Sequence, residues 1–190
     1  MHDPDPGPRP TGCPEPVGVQ LVPLRRRHLR AVARIEAQVY PRPWSTSLFL
    51  SELSLRAGRY YLAARVQAAV VGYAGLMLLA DEGHVTTIAV HPAWHRHQIG
   101  TRLLLQLTRH ALDRGARHLT LEVRESNVAA QAMYAKFGMV AAGIRKNYYA
   151  ETREDALVMW AHDIDTGEYG RRLEAIAAGV AGPTVVEEGR

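Results

Sequence analysis

The sequence predicts an α/β domain in which helices flank a mixed sheet. Three strand-like stretches, Arg59–Val66, Val70–Leu79 and His84–Val90, are joined by short connectors, and this spacing favours antiparallel hairpins. Gly100–Leu112 then has apolar residues at the three-to-four spacing of an amphipathic helix, and strand and helix patterns alternate after it. The predicted element order is β-α-α-β-β-β-α-β-α-β-β, which is typical of this fold class.

The composition fits one globular domain with a hydrophobic core. The chain has 190 residues, 47% of them apolar and 22% charged, which excludes a wholly disordered or collagen-like chain. A single cysteine, Cys13, excludes an internal disulfide framework and a cysteine-built zinc site. The longest apolar run, Ala68–Ala80, is too short to cross a bilayer. The first residues lack the apolar stretch of a secretory signal, so we expect a cytoplasmic protein.

The net charge of +4 does not by itself indicate a nucleic-acid partner. The basic residues are spread along the chain, and all except Lys136 and Lys146 are arginines. A nucleic-acid site would need basic residues clustered on one face. The one dense run, Arg25–His28, opens a predicted helix and is expected to be a solvated face. We therefore expect neither a nucleic acid nor a membrane as partner.

The first predicted elements are a tail, a strand and two helices. Residues 1–17 are rich in proline and lack periodicity, which predicts a disordered tail before the short strand Val19–Val22. The next helix has one apolar face, formed by Leu29, Val32, Ala33 and Val39. Pro41–Trp44 ends it, because a proline disfavours the α conformation of the preceding residue. Ser45 is the predicted N-cap of a second helix, whose apolar residues are Leu48, Phe49, Leu53 and Leu55.

The elements after Gly100–Leu112 are predicted with less regular patterns. They are the strand Leu119–Val123, the helix Val128–Phe137, and the strands Val140–Ile144 and Ala156–Ala161. Tyr169–Val180 has the pattern of an amphipathic helix weakened by glycines, and the last residues are expected to be frayed. We therefore divide the chain into a tail (1–17), one domain (18–163) and a partly helical extension (164–190).

The junction between the strand ending at Val90 and the helix beginning at Gly100 carries chemical information. The first amide groups of a helix have no intrahelical acceptor and lie at the positive end of its dipole. Such a turn can bind an anion, for example a pyrophosphate. An ordinary turn has the same pattern, so the junction alone leaves both interpretations open.

Four motifs occur along the chain, at Pro43–Ser45 (PWS), Leu121–Asn127 (LEVRESN), Ile144–Tyr149 (IRKNYY) and Glu154–Met159 (EDALVM). With them the region Val19–His162 resembles the GNAT superfamily of N-acetyltransferases, and within it the ribosomal-protein alanine N-acetyltransferases (the RimI type). The resemblance implies the acyl-CoA N-acyltransferase fold, with a mixed, mostly antiparallel central sheet. It also implies acetyl-CoA as co-substrate and, as acceptor, the N-terminal alanine of a small-subunit ribosomal protein (number eighteen).

The same resemblance implies the residues of the site. Glu122 matches the general base of the family and Tyr134 its general acid. Ile88, Ala89 and Val90 match the strand whose backbone holds the acetyl and pantetheine arm. The other residues implied to contact the cofactor are those of the pyrophosphate turn and one asparagine, namely Arg96, His97, Gln98, Ile99, Gly100, Thr101 and Asn127.

These residue types suit acetyl transfer. An amine attacks a thioester only as the neutral base, and an α-amino group, with a pKa of about 7.7–8.0, is neutral far more often than lysine, with a pKa of about 10.4. A carboxylate can accept the proton of the amine, and a phenol can protonate the departing thiolate. A backbone amide of the strand at residues 88–90 can stabilise the oxyanion. The only thiol, Cys13, lies in the predicted tail, so direct transfer is expected.

Each of these residues also has a purely structural interpretation. Glu122 alternates with apolar residues and can lie on a solvent face, Tyr134 can be a packed helix residue, and Asn127 can be only an N-cap. Tyr148 and Tyr149 are either ordinary strand aromatics or, as the resemblance suggests, part of the wall of a peptide groove.

The turn departs from the family pattern at two positions. His95 replaces the usual Gln or Arg, and Gln98 replaces the first glycine, so that only Gly100 remains. Glycine permits close backbone approach to a ligand, whereas a glutamine would crowd the phosphates or donate a hydrogen bond to them. We expect weaker acetyl-CoA binding than in a Gln98→Gly variant. No ligand carboxylate or cysteine accompanies His91, His95 and His97, so no metal is expected.

Two other functions remain open. The same fold can acetylate lysine side chains or a small amine. Alternatively, the chain is a CoA-binding or partner-binding module without activity, for which Gln98 is the motivating feature.

Overall fold

The computed structural model describes residues 15–55 and 57–187. Most of the predicted tail, including Cys13, lies outside this range. Within it the predicted order of elements is confirmed, followed by the carboxyl-terminal helix and one further strand. The elements are β1 (Val19–Pro23), α1 (Leu29–Val39), α2 (Thr46–Ser54), β2 (Arg59–Val66), β3 (Ala69–Leu79), β4 (Glu82–Val90), α3 (Ile99–Asp113), β5 (His118–Arg124), α4 (Val128–Lys136), β6 (Val140–Tyr149), β7 (Glu154–Ala161), α5 (Gly167–Ala178) and β8 (Thr184–Val186).

These strands form a sheet with the order β6-β7-β5-β4-β3-β2-β1-β8. The pairs β1–β2, β5–β7 and β6–β7 are antiparallel, and the pairs β4–β5 and β1–β8 are parallel. Two-residue connections join β2 to β3 and β3 to β4, and connections this short join antiparallel neighbours. The predicted α/β class with a mixed, mostly antiparallel sheet is confirmed.

The expectation of a frayed chain end is wrong for Thr184–Val186. These residues form β8, which pairs in parallel with β1 from Val19–Thr184 to Leu21–Val186. A strand this short shows no alternation that a sequence pattern could detect. The strand β6 is longer than predicted and continues to Tyr149. Its residues are mostly exposed, so apolar alternation does not mark its end.

Contacts divide the chain into two compact units. One contains the described residues up to Gly75, together with Thr87–Leu104 and the residues from Val180 on. The other contains Leu76–Thr86 and Leu105–Gly179. None of the helices in the described ranges is long and apolar enough to cross a membrane.

The core of the first unit is aromatic at its centre. The Phe49 ring lies 5.3 Å from that of Trp44 and 5.5 Å, edge to face, from that of Tyr73. The predicted cap is confirmed, because the Ser45 hydroxyl accepts a hydrogen bond from the Leu48 amide at 3.1 Å. The other buried members of the cluster are Val22, Leu24, Leu29, Val32, Ile35, Tyr61, Ala63 and Ala89.

Gly72 allows β3 to approach the end of β4 and the start of α3. A Cβ atom at this position would lie 2.9 Å from the Ala89 carbonyl oxygen and 3.3 Å from the Ile99 side chain. The first distance is shorter than real Cβ contacts, so a larger residue would displace the strand that precedes the turn.

A carboxyl group is buried in the same core. Glu36 on α1 has no exposed surface, and its oxygens accept hydrogen bonds from the Tyr73 hydroxyl and the Trp44 backbone amide. Burial raises the pKa of Glu36 from 4.5 to about 7, because a low-dielectric environment disfavours the charged form.

We expect Glu36 to make the protein less stable as the pH rises from about 4.5 to about 7. In this interval the unfolded chain has released the proton that the folded chain retains, so the free energy of unfolding falls with pH. The total loss is about 3 kcal/mol. Chemical denaturation of the wild type and Glu36→Gln tests this, since the difference between their free energies of unfolding should change by this amount.

A matched control for this experiment is Glu174→Gln, which changes an exposed glutamate of α5. Its difference from the wild type should stay constant over the same pH interval. A constant difference for Glu36→Gln as well would contradict the raised pKa.

The second unit is built around β5. This strand pairs in parallel with β4 from Glu82–His118 to His84–Thr120. On its other side it pairs antiparallel with β7 from Leu119–Ala161 to Arg124–Ala156. Side chains of a strand alternate between the two faces of the sheet, and Leu121 and Val123, which share one face of β5, are buried in the core.

Candidate active site

A tight turn connects β4 to α3 in the first unit. Its residues Arg96 and Gln98 have left-handed backbone conformations, with φ of +68° and +56°. Glycine adopts this conformation more readily than any other residue, which explains why the resemblance implies a glycine where Gln98 stands. The His95 ring donates from Nε2 to the Val90 carbonyl oxygen at 3.0 Å and holds the turn against the end of β4.

The turn provides donors for an anionic group. The first backbone hydrogen bond of α3 runs from the Arg102 amide to the Gln98 carbonyl oxygen at 3.0 Å, so the amides of residues 99–101 precede the intrahelical pattern. The exposed side chain of Arg96 adds positive charge. Nδ1 of His97 is buried and has no hydrogen-bond partner among the described residues. The amides of residues 99–101 and the Arg96 guanidinium form a donor set that fits a diphosphate.

The Gln98 side chain makes a contact that the sequence did not predict. Its carboxamide oxygen accepts a hydrogen bond from the backbone amide of Ala181 at 2.8 Å. The side chain therefore binds the carboxyl-terminal part of the chain. The sequence led us to expect that Gln98 crowds the phosphates or donates a hydrogen bond to them, and this contact is neither of these.

The end of β4 is fixed by contacts on both sides. The Tyr40 hydroxyl donates to the Ile88 carbonyl oxygen at 2.9 Å, and the His91 amide donates to the Val71 carbonyl oxygen at 2.9 Å. Ala89 between them is buried. The backbone at Ile88, Ala89 and Val90 thus has a defined position beside the turn.

In the second unit, Glu122 is held by two basic side chains. Its Oε2 lies 2.8 Å from Nε2 of His84 and its Oε1 lies 3.0 Å from the Arg145 guanidinium. The side chain is only 8% exposed, so the solvent-face interpretation is wrong. The hydrogen bond from His84, together with the charges of His84 and Arg145, outweighs burial and lowers the pKa of Glu122. Glu122 is therefore an oriented, ionised carboxylate at neutral pH.

His84 and Arg145 are site residues that sequence reasoning missed. They come from β4 and β6, which are far apart in the sequence. His84 lies opposite Thr120, two positions before Glu122 on the same face of the sheet. Only the strand register reveals this neighbour, and periodicity alone does not give a register.

The two remaining implied residues are Asn127, which caps α4, and Tyr134 on α4 itself. The Asn127 side-chain oxygen accepts a hydrogen bond from the Ala130 amide at 3.1 Å, so the predicted N-cap is confirmed. Tyr134 is buried, with 4% of its surface exposed. Burial is compatible with packing and with a proton-donor role, so the two interpretations of Tyr134 remain open.

The paired tyrosines of β6 differ in exposure. Tyr148 is 48% exposed and stands 5.6 Å, by ring centroid, from the Arg145 guanidinium carbon. The Arg124 guanidinium carbon lies 3.8 Å over the centre of the Tyr149 ring. Arginine thus packs on both rings, and the Tyr148 ring remains accessible close to the group that holds Glu122.

The first unit thus contains a turn that fits a diphosphate, and the second unit contains a carboxylate that is ionised at neutral pH. The mixed sheet and its helices form the fold of the acyl-CoA-dependent N-acyltransferases. A family profile described as "Acetyltransferase (GNAT) family" matches residues 29–139, more than half of the chain. The chain belongs to the GNAT family of acetyltransferases.

Within this family, the chain is similar to N-acetyltransferases that act on protein N-termini. The [ribosomal protein bS18]-alanine N-acetyltransferase of Escherichia coli (strain K12) is 37% identical over 72% of this chain and 92% of its own length. The N-alpha-acetyltransferase RimI of Mycobacterium tuberculosis is 37% identical over 78% of this chain and 94% of its own length. The crystal structure of the Escherichia coli ribosomal-protein-S18-alanine N-acetyltransferase superposes with a TM-score of 0.70 at 32% identity, covering 79% of this chain and 97% of that one.

Proposed function

We propose that this chain transfers the acetyl group of acetyl-CoA to the α-amino group of an N-terminal alanine in ribosomal protein S18. The substrate is supported by the Escherichia coli relative at 37% identity, which is matched over 92% of its length. The α-amino group as acceptor is also supported by the N-alpha-acetyltransferase of Mycobacterium tuberculosis, which is matched over 94% of its length. The observation that carries the chemistry is the buried, ionised carboxylate of Glu122. Ribosomal proteins are made and assembled in the cytoplasm, so this substrate also implies a cytoplasmic enzyme.

Acetyl-CoA supplies an activated acyl group in the form of a thioester. The backbone amides of residues 99–101 and the side chain of Arg96 bind its diphosphate. The backbone of Ile88, Ala89 and Val90 binds the pantetheine arm and provides an amide for the oxyanion. Asn127 also contacts the cofactor. Its side-chain oxygen caps α4, and its side-chain NH2 group donates to the cofactor.

Glu122 accepts the proton that the amine nitrogen loses as the new C–N bond forms. The lowered pKa of Glu122 means that its carboxylate is ionised at neutral pH and acts as a weak base. An α-amine with a pKa of about 7.7–8.0 arrives partly neutral, so a weak base is sufficient. His84 and Arg145 act as positioning residues, because each holds one of the two carboxylate oxygens.

Tyr134 donates the proton that the sulfur needs as the C–S bond breaks, and it regains a proton from solvent. We expect Tyr134→Phe to lower kcat by about 10²-fold, the usual contribution of one general acid. The affinity for CoA, measured by calorimetry, should stay the same.

A matched control for Tyr134 is Tyr169→Phe. Tyr169 is also buried, and its hydroxyl has no hydrogen-bond partner among the described residues, so its removal should leave kcat unchanged. An unchanged kcat in Tyr134→Phe would instead show that Tyr134 is a packing residue only.

The proposed function is tested with a panel of peptides. We expect rapid release of CoA thiol with peptides that begin with alanine, and little release with peptides that begin with a bulky residue or carry only an internal lysine. Faster acetylation of the lysine peptide would favour the lysine-acetyltransferase alternative. CoA binding without thiol release from any peptide would favour an inactive CoA-binding module.

A further inference from the structure

Two side chains at the start of α3 bind a segment close to the carboxyl end of the described chain. The carboxyl-terminal segment, residues 181–187, lies against Gln98 and Arg102. All these residues belong to the first unit. Gln98 belongs to the turn at residues 96–101 that is proposed to bind the diphosphate, which we call the diphosphate turn. Arg102 lies one helical turn further on.

Arg102 is the stronger of the two anchors. Its side chain is fully buried, with 1% of the residue exposed. The guanidinium donates to the Pro183 carbonyl oxygen at 2.8 Å and to the Gly182 carbonyl oxygen at 3.3 Å. It also donates to the Ala181 carbonyl oxygen and the Thr184 hydroxyl. The segment therefore wraps around a buried charge, and hydrogen bonds to a charged group are roughly twice as strong as neutral ones.

The segment is also fixed to the sheet. β8 pairs with β1, the Val19 amide donates to the Pro183 carbonyl oxygen at 3.0 Å, and the Glu187 amide donates to the Leu21 carbonyl oxygen at 2.8 Å. Because it is held from both sides, the segment is a firm support for a side chain that binds to it.

Gln98 is the residue of the turn whose side chain binds this segment. Its backbone has a left-handed conformation, with φ of +56°, which is unfavourable for any residue other than glycine. The hydrogen bond from the Ala181 amide at 2.8 Å restrains the Gln98 side chain. This contact offsets the strain of the left-handed conformation, which glycine would adopt without strain.

We propose that the carboxyl-terminal segment is part of the cofactor-binding apparatus, in which it holds Gln98 and so keeps the diphosphate turn in its binding conformation. Gln98 acts as a positioning residue. The Escherichia coli relative matches 72% of this chain with 92% of its own length, so this chain has residues that the relative lacks. The inference rests on the proposed function, since it assumes that the turn binds CoA.

Binding of CoA and docking of the segment must then strengthen each other, because coupling between two sites is reciprocal. The clean test changes the segment and leaves the turn intact. Ala181→Pro removes the amide that Gln98 accepts from, whereas the control Ala181→Ser keeps it. A Gln98→Gly variant is less direct, because it loses this hydrogen bond and relieves the backbone strain at the same time.

Calorimetry with CoA is expected to give a Kd about five-fold higher for Ala181→Pro than for the wild type, the effect of one hydrogen bond. The reference for this comparison is Ala181→Ser, which keeps the amide donor at this position. In the unchanged protein, CoA should slow the hydrogen exchange of the amides in residues 181–187, a measurement that needs no variant and does not depend on how Ala181→Pro folds.

Equal CoA affinity in Ala181→Pro and Ala181→Ser would overturn the proposal while the proposed function stands. Exchange of residues 181–187 that is insensitive to CoA would also overturn it. A wild-type chain that binds no CoA at all would overturn both the inference and the proposed function.

Discussion

Replacement of Glu122 by glutamine is expected to lower kcat/KM for an alanine peptide by about 10²–10⁴-fold. Glutamine has nearly the same shape, but its amide cannot accept the proton of the attacking amine. The affinity for CoA should stay the same, because the groups proposed to bind its diphosphate are the amides of residues 99–101 and the side chain of Arg96. Thiol release measures the rate, and calorimetry measures CoA binding.

The matched control is Glu125→Gln, three residues further along the chain. Glu125 is exposed, so its replacement should leave both kcat/KM and CoA affinity unchanged. Full activity in Glu122→Gln would contradict the general-base role and would leave Glu122 as a structural partner of His84 and Arg145. An equal loss in Glu125→Gln would show that the effect is not specific to the buried carboxylate.

Replacement of Arg102 by leucine is expected to lower the free energy of unfolding by about 2–4 kcal/mol. The leucine would fill part of the same space but would leave the carbonyl groups of Val17, Gly182 and Pro183 without their buried donor. Because these hydrogen bonds connect α3 to both ends of the described chain, the segment at residues 181–187 should also exchange its amides faster. Chemical denaturation gives the stability.

Arg109→Leu is the control on the same helix. Arg109 is exposed, and surface substitutions of this kind usually change stability by less than about 0.5 kcal/mol. An Arg102→Leu variant as stable as Arg109→Leu would contradict the structural importance assigned to the buried guanidinium.

Apolar periodicity was enough to predict most of the elements. The predicted helix Gly100–Leu112 agrees with α3 within one residue at each end, and the strand Arg59–Val66 has the bounds that were predicted. The helix is regular because it buries one face, as Leu103 and Leu107 show. The strand is a continuous apolar run that is buried on both faces at residues 61–64. Where burial is weak, as along β6, the sequence pattern did not define the end of the strand.

Buried polar groups were not predictable in the same way. A pattern indicates which face is buried, but it does not indicate which distant group a polar side chain meets. Glu36 was missed for this reason, as were the partners of Glu122 and the contacts of Arg102. The roles of Glu122 and Tyr134 came from the resemblance to a family. Burial removed the solvent-face interpretation for Glu122 and left both interpretations open for Tyr134.

The most direct test of the proposed activity uses one peptide that contains both kinds of amine, an N-terminal alanine and an internal lysine. After incubation with acetyl-CoA, tandem mass spectrometry locates the acetyl group. We expect it on the α-amino nitrogen with the wild type and on neither nitrogen with Glu122→Gln in the same time. An acetyl group on the lysine side chain, or the same acetylated product from both proteins, would contradict the account.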